Sequence, residues 1–520
     1  MHTLIGYKHG TTRHMLRGVS RASRYARNVV RKHFLTVLFL PFTLYPLPST
    51  LFAQRTISLA ECLTLAHQQS PALFEAKQNY EMACSNAEAQ KRSNYTHVDL
   101  SLTAPLYTDN TSPIYNPLTG LTDLLPNRLT QFGPGLTITQ PIAWTGGTIS
   151  VTGNLYRQTL IPATGPQVND YLGLSSIAIN QPIFKANELE ITSREADLSL
   201  EDARATYATA WASNDYTTEN LFYTLYQAEE QLRIQQDNVA ERDSNYTLAV
   251  NKFKAGLIAK VEKLQLEADL AAARTDLFDK QRLCSAAQRD LEIALGVPFE
   301  DSLTAALDTL PDVNVAIDRD RAVQFALQNR EDVLAARQKI AYDKDQRALT
   351  GNKRAIYASL SGTFGTSSEA QLAELTQDPY LNLNRGLSLS VTIPVFDWGE
   401  HSYEMDAAQS AIDLARTALA LKERQVKQEV LSAIDQIDAA KDQVTVAKQS
   451  VAVAQEAYTL SRDRFDLGKI TSQDLALDQQ RVTQAQLALL SAEVAEHLAL
   501  ADLTQKTLFN FETGKPVVPE

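Results

Sequence analysis

VLSAIDQIDAAKDQVTVAKQSVAVAQEAYTLSRDRF, residues 430–465, is the stretch whose spacing decides the fold. Apolar or small residues recur at alternating intervals of three and four: Val430, Ala433, Ile437, Ala440, Val444, Ala447, Val451, Ala454, Tyr458, Ser461 and Phe465. Five heptads of this kind make a coiled-coil seam, because the a and d positions fall on one stripe of a helix. The helical pattern fills the interval from Pro394 to Gly468. At a rise of about 1.5 Å per residue, roughly 65 helical residues form a rod near 100 Å long, too long to be buried inside one compact domain. The alanines of the seam let helices approach closely, as the wall of a tight cylinder requires.

Working outward, the helical pattern resumes almost at once after Gly468, through Leu475, Val482, Leu489 and Val494, so the chain reverses at the glycine. Glycine suits that turn because it takes positive φ without a Cβ clash. The same unit occurs earlier. Ser58–Thr103 aligns without a gap on Asp318–Thr363 at an offset of 260, and a second block, from Gln181-Pro182-Ile183-Phe184 to Phe253–Ile258, aligns on Ile393–Ile470 at an offset of 212. The first copy of the seam, Leu221, Leu225, Ala228, Leu232, Val239, Tyr246, Ala249 and Phe253, keeps the register but admits Gln235 and Arg242.

The two offsets differ by 48 residues, which lie in the first copy within roughly Pro105–Tyr171. Turn signals at Pro113, Gly120, Gly133-Pro134-Gly135 and Gly146-Gly147 punctuate alternating runs there and predict an added hairpin with a long loop. The expected organisation is a signal peptide at 1–53 and a first repeat at 54–298, with its inserted hairpin at about 105–171 and its helical hairpin at 185–297. A linker at 299–317, a second repeat at 318–510 with its helical hairpin at 397–509, and a tail at 511–520 follow.

Strict alternation in Leu387–Ile393 and Val98–Thr103 predicts strands. The body of the chain has no uninterrupted apolar run of about 18 residues, so any membrane crossing falls to strands, for which about nine to eleven tilted residues suffice. In lipid every backbone N–H and C=O needs a partner, so such strands must close into a barrel. The four to six strands of one chain cannot close around a pore, which predicts a barrel shared among subunits.

The first 60 residues carry no Asp or Glu, and Arg13 to Lys32 precede the apolar run Phe34–Leu40, the pattern of a secretory signal cleaved after Ala53. A start at Met15 and an Arg-rich organelle transit peptide also fit the long basic part. Without residues 1–53 the chain keeps 41 basic against 61 acidic residues, a formal charge of −20, which excludes nucleic acid as an expected partner. Cys62, Cys84 and Cys284 are widely spaced and read as small packed thiols. Cys62 loosely fits a lipid-acylation site, against which stand Glu61 beside it and the helical pattern running through. The histidines after the signal, His67, His97, His401 and His497, lie far apart, with no HExxH, GxSxG or phosphate-cradling glycine loop. No catalytic residue, metal site or cofactor is expected.

Taken in order, the duplicated layout, the strand-end motifs Gln140-Pro141-Ile142, Gln181–Phe184 and Ile393-Pro394-Val395-Phe396-Asp397-Trp398-Gly399, and the turns Phe253–Ile258 and Phe465–Ile470 resemble the TolC family of outer-membrane efflux channels. The resemblance covers essentially the whole mature chain. It implies a mainly α protein with membrane β: a duplicated strand-and-long-helix repeat forming a trimeric β-barrel in the outer membrane and an α-helical coiled-coil tunnel in the periplasm. It also implies a periplasmic adaptor protein docked end-on and an inner-membrane pump. The added hairpin departs from that family's plain four-strand subunit. The docking residues implied are Ala255, Gly256, Leu257 and Ile258 at one turn and Leu467, Gly468, Lys469 and Ile470 at the other. The acidic ring that narrows the family's entrance matches Asp474, with Glu262 equivalent in the first copy, while a further acid of the pattern falls at Leu477. Converging carboxylates would attract cations and make the constriction sensitive to pH and divalent ions. The duct of a type I protein secretion system, and a secreted soluble coiled-coil scaffold, are the alternatives to small-molecule efflux.

Overall fold

The computed structural model describes residues 55–116, 120–161, 168–298, 303–307, 310, 315–370 and 382–517; the expected signal peptide and parts of the expected linker lie outside them. The first repeat runs β1 (Arg55–Ile57), α1 (Leu59–Gln69), α2 (Pro71–Arg92), β2 (His97–Asn116), β3 (Leu121–Ile142), β4 (Gly147–Ile161), β5 (Val168–Ile183), α3 (Glu188–Lys254) and α4 (Lys260–Leu295). After β6 (Leu303–Ala305) the second repeat runs α5 (Arg319–Asn329), α6 (Glu331–Arg354), β7 (Tyr357–Ala370), β8 (Asn382–Thr392), α7 (Glu400–Asp466) and α8 (Ser472–Thr507), followed by β9 (Phe509–Asn510) and β10 (Lys515–Pro516).

Duplication extends to the helix lengths: α3 and α7 have 67 residues each, α4 and α8 have 36 each, and both pairs start and stop at the offset of 212. The caps repeat too. Ser58 caps α1 in a reciprocal box with Glu61, and Asp318, at the offset of 260, accepts from the backbone N–H groups of Asp320 and Arg321 at the start of α5. Each long helix is a rod of about 100 Å, flanked on its strand side by α2 or α6 and on its far side by α4 or α8.

The spacing in residues 430–465 translates directly into packing. Val430, Ala433, Ile437, Ala440, Val444 and Phe465 are buried, and the remaining seam residues are half-buried. Midway along the rods lie the two apolar cores. Phe222, Leu225, Leu291 and Leu295 pack with Ile57, Cys62 and Leu303 in one, and Val426, Val430, Ile434, Ile437 and Leu503 pack with Ala322, Ala326 and Val333 in the other. Cys62 is wholly buried within α1, so its thiol faces the core. β1 and β6 form a short parallel pair at this waist.

The strands form one antiparallel sheet in the order β2-β3-β4-β5-β7-β8, paired along nearly their whole lengths. The insertion is thus β3 and β4, laid into the sheet between β2 and β5. Two expectations need correction. The strands run well beyond the alternating stretches, β2 continuing from Thr103 to Asn116 through a register shift between Thr103 and Leu106. Pro105 stands at that shift, where a residue without an N–H donor is tolerated. Gly133-Pro134-Gly135 is not a turn but the middle of β3: a Cβ on Gly133 would fall 1.9 Å from the Leu155 carbonyl oxygen, so close backbone approach explains the glycine.

Directly paired residues of adjacent strands share a face. Following the register across the sheet puts Val98, Leu100 and Leu102, then Leu136 and Ile138, Ile149 and Val151, Ile177 and Ile179, Leu360 and Phe364, and finally Leu387, Leu389 and Val391 on one side. The other side carries Ser101, Thr137, Thr139, Ser150, Thr152, Asn154, Ser176, Asn180, Ser361, Thr363, Ser388 and Ser390, with Leu106, Leu129, Tyr156, Leu172 and Leu174 as its larger apolar members. No helix among the described residues is long and apolar enough to cross a membrane.

At the waist, burial pushes the Glu219 carboxyl up to about 7, with Asp215 and Glu512 adding to the effect. Burial also raises Glu229 to about 7, although the Ala305 N–H donates to it at 3.1 Å. Both groups bind a proton more tightly folded than unfolded, so their contribution to stability is full below the ordinary carboxylate range and is lost as pH rises through about 7. Thermal unfolding should therefore occur at a higher temperature at pH 6 than at pH 8, and Glu219→Gln with Glu229→Gln should shrink that difference. An unchanged pH dependence in the double variant would contradict the assignment.

Candidate functional site

At the end of the rods remote from the sheet, the two helical hairpins turn in the same way. Gly256 and Gly468 adopt φ of +74° and +69°. Each donates its N–H to the phenylalanine three residues earlier at 2.9 Å, and the next residue, Leu257 or Lys469, donates to the carbonyl of Lys252 or Arg464 at 2.9 Å. This pairing satisfies carbonyls that a helix end leaves without partners. Neither glycine would bring an added Cβ within 4 Å of any atom, so both turns project into open space. Ala255, Gly256, Leu257, Leu467, Gly468 and Lys469 are exposed, while Ile258 and Ile470 are half-buried.

The fold brings the tips together. A groove of about 630 Å³ is lined by Leu257, Ile258 and Glu262 from the first hairpin and by Leu467 to Thr471 and Asp474 from the second. Lys252, which sequence reasoning did not single out, joins them: its Nζ donates to the Phe465 carbonyl oxygen at 2.6 Å and lies 4.0 Å from the centre of the Phe465 ring. The available signal was its place in the last turn of α3, where a cation complements helix-end carbonyls, but only the tertiary fold sets it at the end of α7 instead.

Asp474 and Glu262 occupy the same third position of their helices but differ in local role. Asp474 forms a capping box, its Oδ2 accepting from the Thr471 hydroxyl at 2.7 Å and the Thr471 N–H at 3.1 Å. These hydrogen bonds, the hydroxyl's first, hold its carboxyl below the usual range. Glu262 follows Ala259, which has no side chain able to complete such a box. Asp478, one residue beyond the exposed Leu477, faces α7, where it accepts from Ser461 at 2.5 Å and pairs with Arg481 at 2.7 Å.

Just above the tips, a polar ladder crosses between the hairpins. Gln235 donates to the Ala273 carbonyl at 2.8 Å and accepts from Asn238; Gln479 donates to Asn238 at 3.2 Å and accepts from Asn245 at 3.2 Å. Arg242 donates to Asn238 at 3.0 Å, so the two residues that interrupt the first seam both belong to this ladder. Tyr458 donates to Glu241 at 2.6 Å, and Arg462 pairs with Glu241 at 3.3 Å. Burial, with the Glu241 hydrogen bond, pushes the Tyr458 hydroxyl up to about 12.

Two long-helix hairpins beneath one shared sheet make a rod-and-sheet architecture, and residues 322–507 match the family described as Outer membrane efflux protein. The fold of the whole described chain is that of TolC-like outer-membrane channels. It superimposes on the Campylobacter jejuni CmeC outer membrane channel with a TM-score of 0.65 at 17% identity, covering 93% of this chain and 96% of that one. The outer membrane protein VceC from Vibrio cholerae gives 0.64 at 15%, covering 86% and 95%. The open-state Neisseria gonorrhoeae MtrE outer membrane channel gives 0.59 at 16%, covering 86% and 88%. No curated protein sequence matches the chain.

The capping box makes a local prediction. Asp474→Ala should speed amide hydrogen exchange over residues 471–475, whereas Asp474→Asn, which keeps an acceptor oxygen, should leave it near the original rate. Because the carboxyl is held below its ordinary 3.8, its contribution is complete above that value and fades only as pH falls below it. Equal exchange in all three proteins would remove the box from the account.

Proposed function

We propose that this chain is one subunit of a homotrimeric outer-membrane channel in a tripartite efflux system, exporting small molecules to the exterior. The observation that carries the reading is the two-faced sheet mounted on rods of about 100 Å. The rods are the length of a periplasmic duct rather than of a domain core. On the apolar face of β2, Val98 to Tyr107 spans about 25 Å for a tilted strand, close to the apolar band of an outer-membrane barrel. Aromatic residues bound the band on both sides. Trp144, Phe184, Phe396 and Trp398 are exposed where the sheet meets the helices, and Tyr107 and Phe132 are exposed at its far side. That distribution is what a lipid interface favours.

In this reading the helices form a tunnel in the periplasm, and the tips at Ala255–Ile258 and Leu467–Ile470 dock a periplasmic adaptor that links the channel to an inner-membrane pump. Glu262 and Asp474, in the groove between the tips, gate the entrance. Asp474 keeps its charge into the acid range, so its part of the gate responds to divalent cations rather than to mild acidification.

Replacing Gly256 and Gly468 together with leucine should abolish export while leaving a heat-modifiable trimer in the outer-membrane fraction. The new side chains meet no neighbour, and the left-handed backbone costs roughly 1–2 kcal/mol per residue. Normal export in that variant would remove the docking assignment. Asp474→Asn should raise the conductance of the reconstituted channel and weaken its block by divalent cations; an unchanged conductance would leave Asp474 as a helix cap alone.

A further inference from the structure

We infer that the two outer edges of the sheet, β2 and β8, are the surfaces on which copies of this chain join, and that the closed wall is an 18-stranded barrel. The inference rests on the trimeric channel reading above and goes beyond it, since the family resemblance implies four strands per subunit and hence a narrower wall.

Four observations carry it. First, β3 and β4 are not an appendage: β3 pairs with β2 on one side and β4 with β5 on the other, so the insertion lies within the sheet. Second, the inserted strands obey the same division of faces as the rest. Leu136, Ile138, Ile149 and Val151 continue the apolar side, and Thr137, Thr139, Ser150 and Thr152 continue the polar side. A hairpin folded away from the membrane would have no reason to keep that register with four other strands.

Third, among the described residues β2 pairs only with β3 and β8 only with β7. In lipid an open strand edge leaves backbone donors and acceptors without partners, at several kcal/mol each. Six strands are also too few for one chain to close around a pore, since about eight barely enclose their own side chains. The apolar side chains mark the same gap: Leu100 on β2 and Leu387 on β8 are 78% and 80% exposed, against 42% and 39% for Leu136 and Val151 between two neighbours. Fourth, the edges match. β2 leads away from the helices and β8 leads back toward them, so β2 of one copy and β8 of the next meet antiparallel, as every other pair in the sheet does.

Three copies of a six-stranded sheet make eighteen strands. Barrel diameter grows roughly in proportion to strand number, so this wall is about one and a half times as wide as one built from four strands per subunit, in the range that leaves an open aqueous lumen. Its lining is the polar side already described. The exit is then wide, and size selection falls to the groove between the helical tips.

Two measurements on the full-length protein in lipid nanodiscs test this. Single-particle imaging should resolve eighteen strands in a trimer. Thr152→Cys with Ser176→Cys, which face each other across β4 and β5, should form an intrasubunit disulfide in most molecules. Cysteines scanned along β2 at Ser101 and Thr103 against Ser388 and Ser390 of β8 should convert the protein to covalent trimers on a non-reducing gel. A twelve-stranded trimer, with no Thr152→Cys to Ser176→Cys disulfide and β2 cross-linked to β5 instead, would overturn the strand count while sparing the channel reading. A water-soluble monomer would overturn both.

Discussion

The structure depends on one packing constraint: the alternating three-and-four seam that lets each 67-residue helix lie flat against a shorter partner along the half of its length remote from the sheet. Helices this long gain little stability from propensity alone and need a continuous apolar contact to stay straight. The seam supplies it with small residues over much of its course, so the rods pack closely and carry the sheet at one end and the turns at the other. Where larger residues enter, at Phe222, Leu225, Leu291 and Leu503, the two cores of the waist form, and the short helices and β1–β6 gather there.

The waist also holds half-buried carboxyls at Glu219 and Glu229, whereas at the tips Asp474 is exposed and Glu262 half-buried. The same residue types therefore do different things at two levels of one rod. In the waist, loss of water dominates and the proton is held more tightly. At the tip, a hydroxyl and a backbone N–H from Thr471 hold Asp474 in its charged form. The two hairpins are not equivalent at this level. Lys252 reaches from the first to the end of α7, and the amide ladder joins the same two hairpins with Gln479 of the second donating back to Asn238 of the first. The link between repeats is thus polar near the tips and apolar at the waist.

In the sheet, the division into a mainly apolar and a mainly polar face matters more than the number of strands. It makes the inserted hairpin part of the wall and gives the edges matching chemistry. It also concentrates the demand for partners in two places, β2 and β8, which among the described residues pair on one side only.

Periodicity alone determined the helices, because a seam repeats every few residues and needs no knowledge of what lies across it. It also determined the duplication, the turns at Gly256 and Gly468, and the alternating cores of β2 and β8. What it misjudged were places where a neighbouring strand decides: Pro105 reads as the start of the inserted stretch until the register shift carries β2 through it, and Gly133-Pro134-Gly135 reads as a turn until the Leu155 carbonyl fills the space a side chain would need. Gln235 and Arg242 read as flaws in a seam until Ala273 appears across from Gln235, and Asn238, one turn back on the same helix, accepts from Arg242. Only the tertiary structure brought Glu262 and Asp474 to one groove, placed Lys252 across the turns and put six strands in one sheet. Each of these depends on contacts between residues far apart in the chain, and such contacts leave no local period to read.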